Sequence, residues 1–268
     1  MQRSHTTYWT IAALVLLGAM VLTFARLGYW QLDRAAQRDA IRQTMSAGRG
    51  SPPLTLAPGL PAAELLPWRP ASARGVWLDE FTVLLDNRNY KGRPGYWVAT
   101  PLLLDKDSRS AVLVLRGWLA RPLQEGKPRT GPAVDAPDGE QVVTGELLDR
   151  VPRLFELWSR DGGAGTSLPA TLSDPAQALP RVQNLAIADL ARATGLNLLP
   201  AVLAERGPTE RGPTGPGQLV REWPDPPLDS DKNRGYALQW FGFSVIAAGA
   251  WLIVAWRALR RALTPKHL

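Results

Sequence analysis

The chain has 268 residues, a net charge of +7, no cysteine and two histidines, His5 and His267. These counts exclude disulfides, thiol catalysis, Cys-based zinc or copper sites and a thioredoxin-like role, and they leave everything between the two ends without an imidazole for a Ser-His-acid triad. The positive charge gathers beside apolar segments (Arg34, Arg38 and Arg42; Arg257, Arg260, Arg261 and Lys266), a placement suited to phospholipid head groups, with no zinc finger, RNP-like strand or isolated basic tail for nucleic acid.

The first element in chain order is an apolar run over 9–30. As a helix it rises about 32 Å at 1.5 Å per residue, matching a hydrocarbon layer of about 30 Å. Tyr8 and Trp9 at one end and Tyr29 and Trp30 at the other form interfacial girdles, and Arg26 sits where its stem can snorkel out. The competing reading, a cleaved signal peptide, has only Thr23-Phe24-Ala25 as a cleavage site, whereas the run up to Trp30 reads as a membrane exit.

Residues 31–235 form the second region, a β-rich domain. It opens with a short amphipathic helix over 31–45 that continues from the first span, with Leu32, Ala35, Ala36, Ile41 and Met45 as its apolar face. Arg34, Arg38 and Arg42 follow at i, i+4 spacing and repel one another unless lipid phosphates or Asp33 and Asp39 compensate. Strand-like runs occupy 69–78, 81–85, 96–104, 111–119, 141–148, 182–187 and 197–205. Asp86-Asn87-Arg88-Asn89 reads as a turn, and a short helix over 186–194 ends at Gly195. The stretches 121–139 and 206–227 are Pro/Gly-rich loops. The excess of strands over helices predicts an antiparallel barrel or sandwich.

A second apolar run, 236–256, is uncharged with aromatic residues at both ends, and a basic tail follows over 257–268. The positive-inside rule puts that tail in the cytoplasm; two spans then place both termini there and the domain outside. With no Arg/Ser-rich transit segment ahead of the first helix, a bacterial inner membrane is the expected location. The expected fold class is therefore a membrane protein with two transmembrane helices flanking a β-rich extracytoplasmic domain.

Catalytic constellations are absent. The chain has no Gly-x-Ser-x-Gly, Walker loop or Gly-x-Gly-x-x-Gly, and Glu140, Glu146 and Glu156 read as scattered surface acids rather than a catalytic pair.

Several segments, in order, resemble a known family. They are Leu27-Gly28-Tyr29-Trp30-Gln31-Leu32-x-Arg34, Arg74-Gly75-x-Trp77, Leu85-Asp86-Asn87-Arg88, and Gly92-Arg93-Pro94-Gly95-Tyr96-x-Val98-x-Thr100-Pro101-Leu102. Val114-Leu115-Arg116-Gly117-Trp118 and Gly235-Tyr236-Ala237-Leu238-Gln239-Trp240-Phe241 complete the series. Together they resemble the surfeit locus protein 1 family, which assists cytochrome c oxidase assembly and is linked to haem a placement in the catalytic subunit. The resemblance implies a non-enzymatic assembly factor for a haem–copper oxidase, with haem a as a transient cofactor. It also implies oxidase subunit I, a haem a synthesis enzyme and membrane lipids as partners.

Under that resemblance the contact residues are Trp30, Arg34, Arg116, Tyr236, Gln239 and Trp240. Arg34, Arg116 and Arg234 would meet anionic groups, and Trp30 and Trp240 would form an aromatic wall. Gln31 and Gln239 are placed to hydrogen-bond between the helices. The family commonly carries a histidine where this chain has Asn233, a poor ligand for haem iron. Tyr236 and Met45 are the remaining candidate ligands. The alternative is a scaffold that holds oxidase subunits without holding haem; an extracytoplasmic hydrolase is the third reading.

Overall fold

The computed structural model describes residues 2–121, 136–154, 168–169, 172, 179–207, 219–226 and 228–263. Glu156, Lys266, His267, most of the loop over 121–139 and the middle of that over 206–227 lie outside the described residues. The chain divides into two compact units, residues 1–43 with 226–268 and residues 44–225.

The first unit is a helix pair. Helix α1 (Gln2–Arg49) runs without interruption through the apolar run and the amphipathic segment expected to continue from it. No proline occurs before Pro52, so nothing breaks the backbone ladder. Helix α3 (Ser230–Leu263) begins just after the prolines at 224, 226 and 227. Both helices are long and apolar enough to cross a membrane. Large apolar side chains such as Val15, Leu22, Leu238, Ile246 and Leu252 are exposed, a surface costly in water and neutral in hydrocarbon.

The second unit is a barrel with a covering layer. Its strands are β1 (Leu54–Leu56), β2 (Pro70–Trp77), β3 (Val83–Tyr90), β4 (Arg93–Asp105), β5 (Ser110–Ala120), β6 (Glu140–Leu148), β7 (Arg181–Val182) and β8 (Asn197–Glu205). They are ordered β1-β2-β6-β8-β5-β4-β3-β7, and a further pairing of β2 with β4 closes β2, β6, β8, β5 and β4 into a ring. Closure removes the exposed sheet edges that an open sheet would leave. All pairings around the ring are antiparallel except β5 with β8, so the expected antiparallel barrel holds one parallel pair. The chain between the two holds β6, β7 and helix α2 (Ile187–Thr194), the long connection that a parallel pair needs.

Alternation sorts the side chains into two layers. Ala71, Ala73, Leu102, Val112, Val114, Val143, Leu147, Leu199, Ala201 and Leu203, drawn from all five ring strands, fill the lumen. The opposite faces of β4, β5 and β8, with Ala99, Leu113, Leu115 and Val202, pack under Val83 and Leu85 of β3, Val182 of β7 and Leu190 of α2. Gly75 permits closure, because a Cβ there would lie 2.1 Å from the Leu103 carbonyl oxygen.

The segment 86–89, expected as a turn, lies inside β3. Leu85 pairs with Trp97 and Arg88 with Gly95, so two residues oppose one in a β-bulge, with Asn87 at φ +59°. The hairpin turn comes later, at Lys91-Gly92, both at positive φ, the two-residue loop that matches strand twist. Pro94 and Gly95 follow that turn as part of β4.

Candidate functional site

The helix pair meets along a spaced stripe. On α3 the residues turned to α1 are Asn233, Ala237, Trp240, Ser244 and Ala247, at alternating steps of three and four, the spacing of an antiparallel coiled-coil seam. Small residues let the backbones approach, and a Cβ on Gly28 would come 2.7 Å from the Phe241 ring. The Ser244 hydroxyl donates to the Val21 carbonyl at 3.0 Å, and the Trp251 indole to that of Leu14 at 3.0 Å. Phe24 stacks on Trp240 with centroids 5.7 Å apart, and Tyr29 meets Phe241 edge-on at 5.3 Å.

Toward the start of α3 the contacts become polar. The Asn233 amide is buried and donates to the Gln31 side-chain oxygen at 2.6 Å. Arg234 pairs with Asp39 at 2.6 Å. Arg38 donates to the Asp229 carbonyl at 2.6 Å, and Arg42 donates to that of Leu228. Two of the three arginines expected to repel are thus spent on carbonyls just ahead of α3, which as charge-assisted bonds are stronger than neutral ones.

The residues expected at the site are split between the units. Trp240 lies on the seam. Tyr236, 52% exposed, and Gln239, exposed, lie off it, as the three-four spacing requires. Trp30, 53% exposed, borders a shallow groove on α1 with Arg26, Leu27 and Asp33. Trp30 and Trp240 therefore form no common wall; the partner of Trp240 is Phe24. Gln31 pairs with Asn233 and not with Gln239, because Gln239 faces away from the seam. Arg34 is exposed and donates to Gln37 on its own helix at 3.4 Å. Of the apolar face expected over 31–45, only Ala35 is buried, while Leu32 and Ile41 are exposed.

Arg116 belongs to the barrel unit. It is the extra residue of a bulge in β5, where Val98 pairs with Gly117 and Ala99 with Leu115. Its buried guanidinium lies 3.7 Å from Asp79 and 5.1 Å from the Trp77 ring centroid. Arg88, on the bulge of β3, is buried too. It donates to the carbonyls of Pro152 at 2.9 Å and Gln183 at 3.0 Å and stacks on Trp97 at 4.4 Å. Burial lowers its pKa to about 10.

A third polar group in this unit was not foreseen. Glu146, buried, receives Arg49 at 3.2 Å on one carboxylate oxygen and Arg206 at 2.6 Å on the other. Arg49 continues to Asp225 at 2.6 Å, and that hydrogen bond holds the Asp225 carboxyl below its usual range. Four distant segments contribute, so no local pattern could have shown it. The three-four stripe on α3, by contrast, is a local pattern, and the expected pairing of Gln31 with Gln239 overlooked it.

Among the described residues no cluster of three His, Asp, Glu or Cys could hold a metal ion. At 233 the side chain is an amide committed to Gln31, which does not fit axial ligation of a haem iron.

The family model described as the SURF1 family matches residues 18–245, which include most of α1, the first part of α3 and the whole barrel unit. The chain is similar to a SURF1-like protein of Rickettsia felis (strain ATCC VR-1525 / URRWXCal2), 30% identical over 96 residues, 35% of this chain and 40% of the relative. It is also similar to a SURF1-like protein of Rickettsia bellii (strain RML369-C), 29% identical over 96 residues, 35% of this chain and 38% of the relative. These matches span less than half the length of either relative. With a family model that reaches from α1 through the barrel unit into α3, the chain belongs to the SURF1 family.

Proposed function

We propose that this protein is a non-enzymatic assembly factor for a haem–copper cytochrome oxidase, anchored in a bacterial inner membrane by α1 and α3. Membership of the SURF1 family, over 18–245, carries this reading. Both termini lie in the cytoplasm and the barrel outside, and the helix pair and barrel act on oxidase subunit I while haem a is being placed. A haem a synthesis enzyme is a further partner at that stage. The exposed Tyr236, Gln239 and Trp30 are the side chains offered to partner helices or lipid. Arg34 meets anionic head groups. Arg116, buried against Asp79, acts by holding the bulge of β5 in shape.

One observation favours the second reading, a scaffold that does not hold haem. The Asn233 amide is already paired with Gln31 and offers no iron ligand. Capture tests the main proposal: the tagged chain, cross-linked in cells that make the oxidase, recovers the catalytic subunit above a control two-span protein. Recovery no better than the control would sink it. An absorption spectrum of the purified protein from cells that also make haem a then separates the readings. A colourless protein supports the scaffold, and near-stoichiometric haem a overturns it.

A further inference from the structure

The shallow groove on α1 sets one positive and one negative side chain on opposite sides of an indole. Its volume is about 370 Å3, and Arg26, Leu27, Trp30 and Asp33 line it. That is within the range of small-molecule sites, about 300–1,000 Å3. Arg26, Trp30 and Asp33 stand at i, i+4 and i+7 and so share one face of the helix. Both charges are uncommitted. Of the four acids in the helix pair, Asp39 pairs with Arg234, Asp229 with Lys232 and Asp231 with Arg234. The fourth, Asp33, makes no ion pair or hydrogen bond among the described residues, and neither does Arg26.

Seven residues, about 10.5 Å of helix rise, separate the two charges, so a ligand that meets both must itself carry two opposite charges. Depth fixes their order. Trp30 marks the interface at the end of the span. Arg26 lies about 6 Å deeper and Asp33 about 4.5 Å farther out. A charge at the depth of Arg26 is costly without a partner, and the nearest anion in a bilayer is the lipid phosphate. In an ethanolamine phospholipid the ammonium lies level with that phosphate or farther from the hydrocarbon. Cation, indole and carboxylate along α1 therefore complement phosphate and ammonium in order, and the indole face itself attracts an ammonium.

We infer that this groove binds one zwitterionic phospholipid with a primary ammonium headgroup, its phosphate on Arg26, its ammonium between Trp30 and the Asp33 carboxylate, and a chain along Leu27. Ethanolamine fits better than choline, whose methylated nitrogen has no N–H to donate to a carboxylate. An anionic lipid satisfies Arg26 but brings no cation for Asp33. The inference rests on α1 lying in a membrane and is independent of oxidase assembly.

Native mass spectrometry of the full chain in detergent micelles tests it, with equimolar phosphatidylethanolamine, phosphatidylcholine and phosphatidylglycerol of identical chains. The native chain retains phosphatidylethanolamine roughly threefold over either competitor, the size expected of a partly exposed ion pair. Asp33→Asn keeps the phosphate contact and loses the selectivity, so the three lipids are retained equally. Arg26→Gln lowers retention of all three. Asp33 is exposed, so its substitution leaves folding intact and is the stricter arm. Equal retention of the three lipids by the native chain overturns the inference, and so does a selectivity that Asp33→Asn leaves unchanged. A preference for phosphatidylglycerol also overturns it, leaving Arg26 as a contact for anionic lipid. No retained lipid overturns it as well and leaves the groove to a partner helix. A chain that stays soluble without detergent overturns the inference together with the membrane anchoring, whereas the other failures overturn the inference alone.

Discussion

The helix pair and the barrel both bury polar groups, and they satisfy them in different ways. Where α1 and α3 meet, the buried pair is neutral, the Asn233 amide on Gln31, and among the described residues the charged contacts between them gather at the α3 start. In the barrel unit the buried partner is a carboxylate, Glu146, neutralised by two arginines that reach it from the surface. The desolvation cost explains the difference. A charge moved into hydrocarbon has no water to fall back on, whereas a charge at a barrel rim keeps its partners half in solvent. The same environment sets the packing: small residues and ring stacking join the helices, and alternating Val, Leu and Ala fill the lumen.

The sharpest way to break this comparison is at the two glycine contacts. Gly75→Val places a side chain against the Leu103 carbonyl, backbone that cannot yield, so the β2–β4 closure is lost at a cost of about 3 kcal/mol or more. Loss of near-UV dichroism from the barrel checks it. Gly28→Leu meets the Phe241 ring, which can swing aside, so the cost is smaller, about 1–3 kcal/mol, and falls on the helix pair alone. Cysteine cross-linking between positions 21 and 244 should drop while the barrel spectrum is kept.

Next in size is Asn233→Leu. It leaves Gln31 unpaired at the seam and costs about 0.5–1.5 kcal/mol, read as weaker helix association in detergent. The smallest effect is a pH dependence. Asp225 has a folded pKa depressed by its hydrogen bond to Arg49, so its contribution is present above the unfolded value near about 3.9 and lost as pH falls through the folded one. Asp225→Asn has no such contribution to lose, and its stability curve is flatter below about pH 4 than that of the native chain. Equal slopes would remove Asp225 from the network.

Much of the barrel was legible because alternation is a local signal. The run 197–205 coincides with β8, bounded by Gly195 in the left-handed region at φ +66°. What misled was chemistry common to two structures. Asp86-Asn87 suits a turn and a bulge equally, since Asn tolerates positive φ in either, and only the pairing of Arg88 with Gly95 decides. The short β1 and the ring closure rest on contacts remote in sequence. The helix pair failed for a different reason. Its partners depend on azimuth, and Gln239 sits off the three-four stripe while Asn233 sits on it, so the interhelical bond to Gln31 formed about 1.7 turns from where composition suggested.

The central claim is that this chain serves oxidase assembly. Haem a content per catalytic subunit, measured in membranes from cells lacking this gene and any paralogue, tests it most directly. The account predicts a severalfold fall in haem a and oxidase activity, restored by the native chain and not by Gly75→Val. Unchanged haem a and activity in the absence of the chain would contradict it.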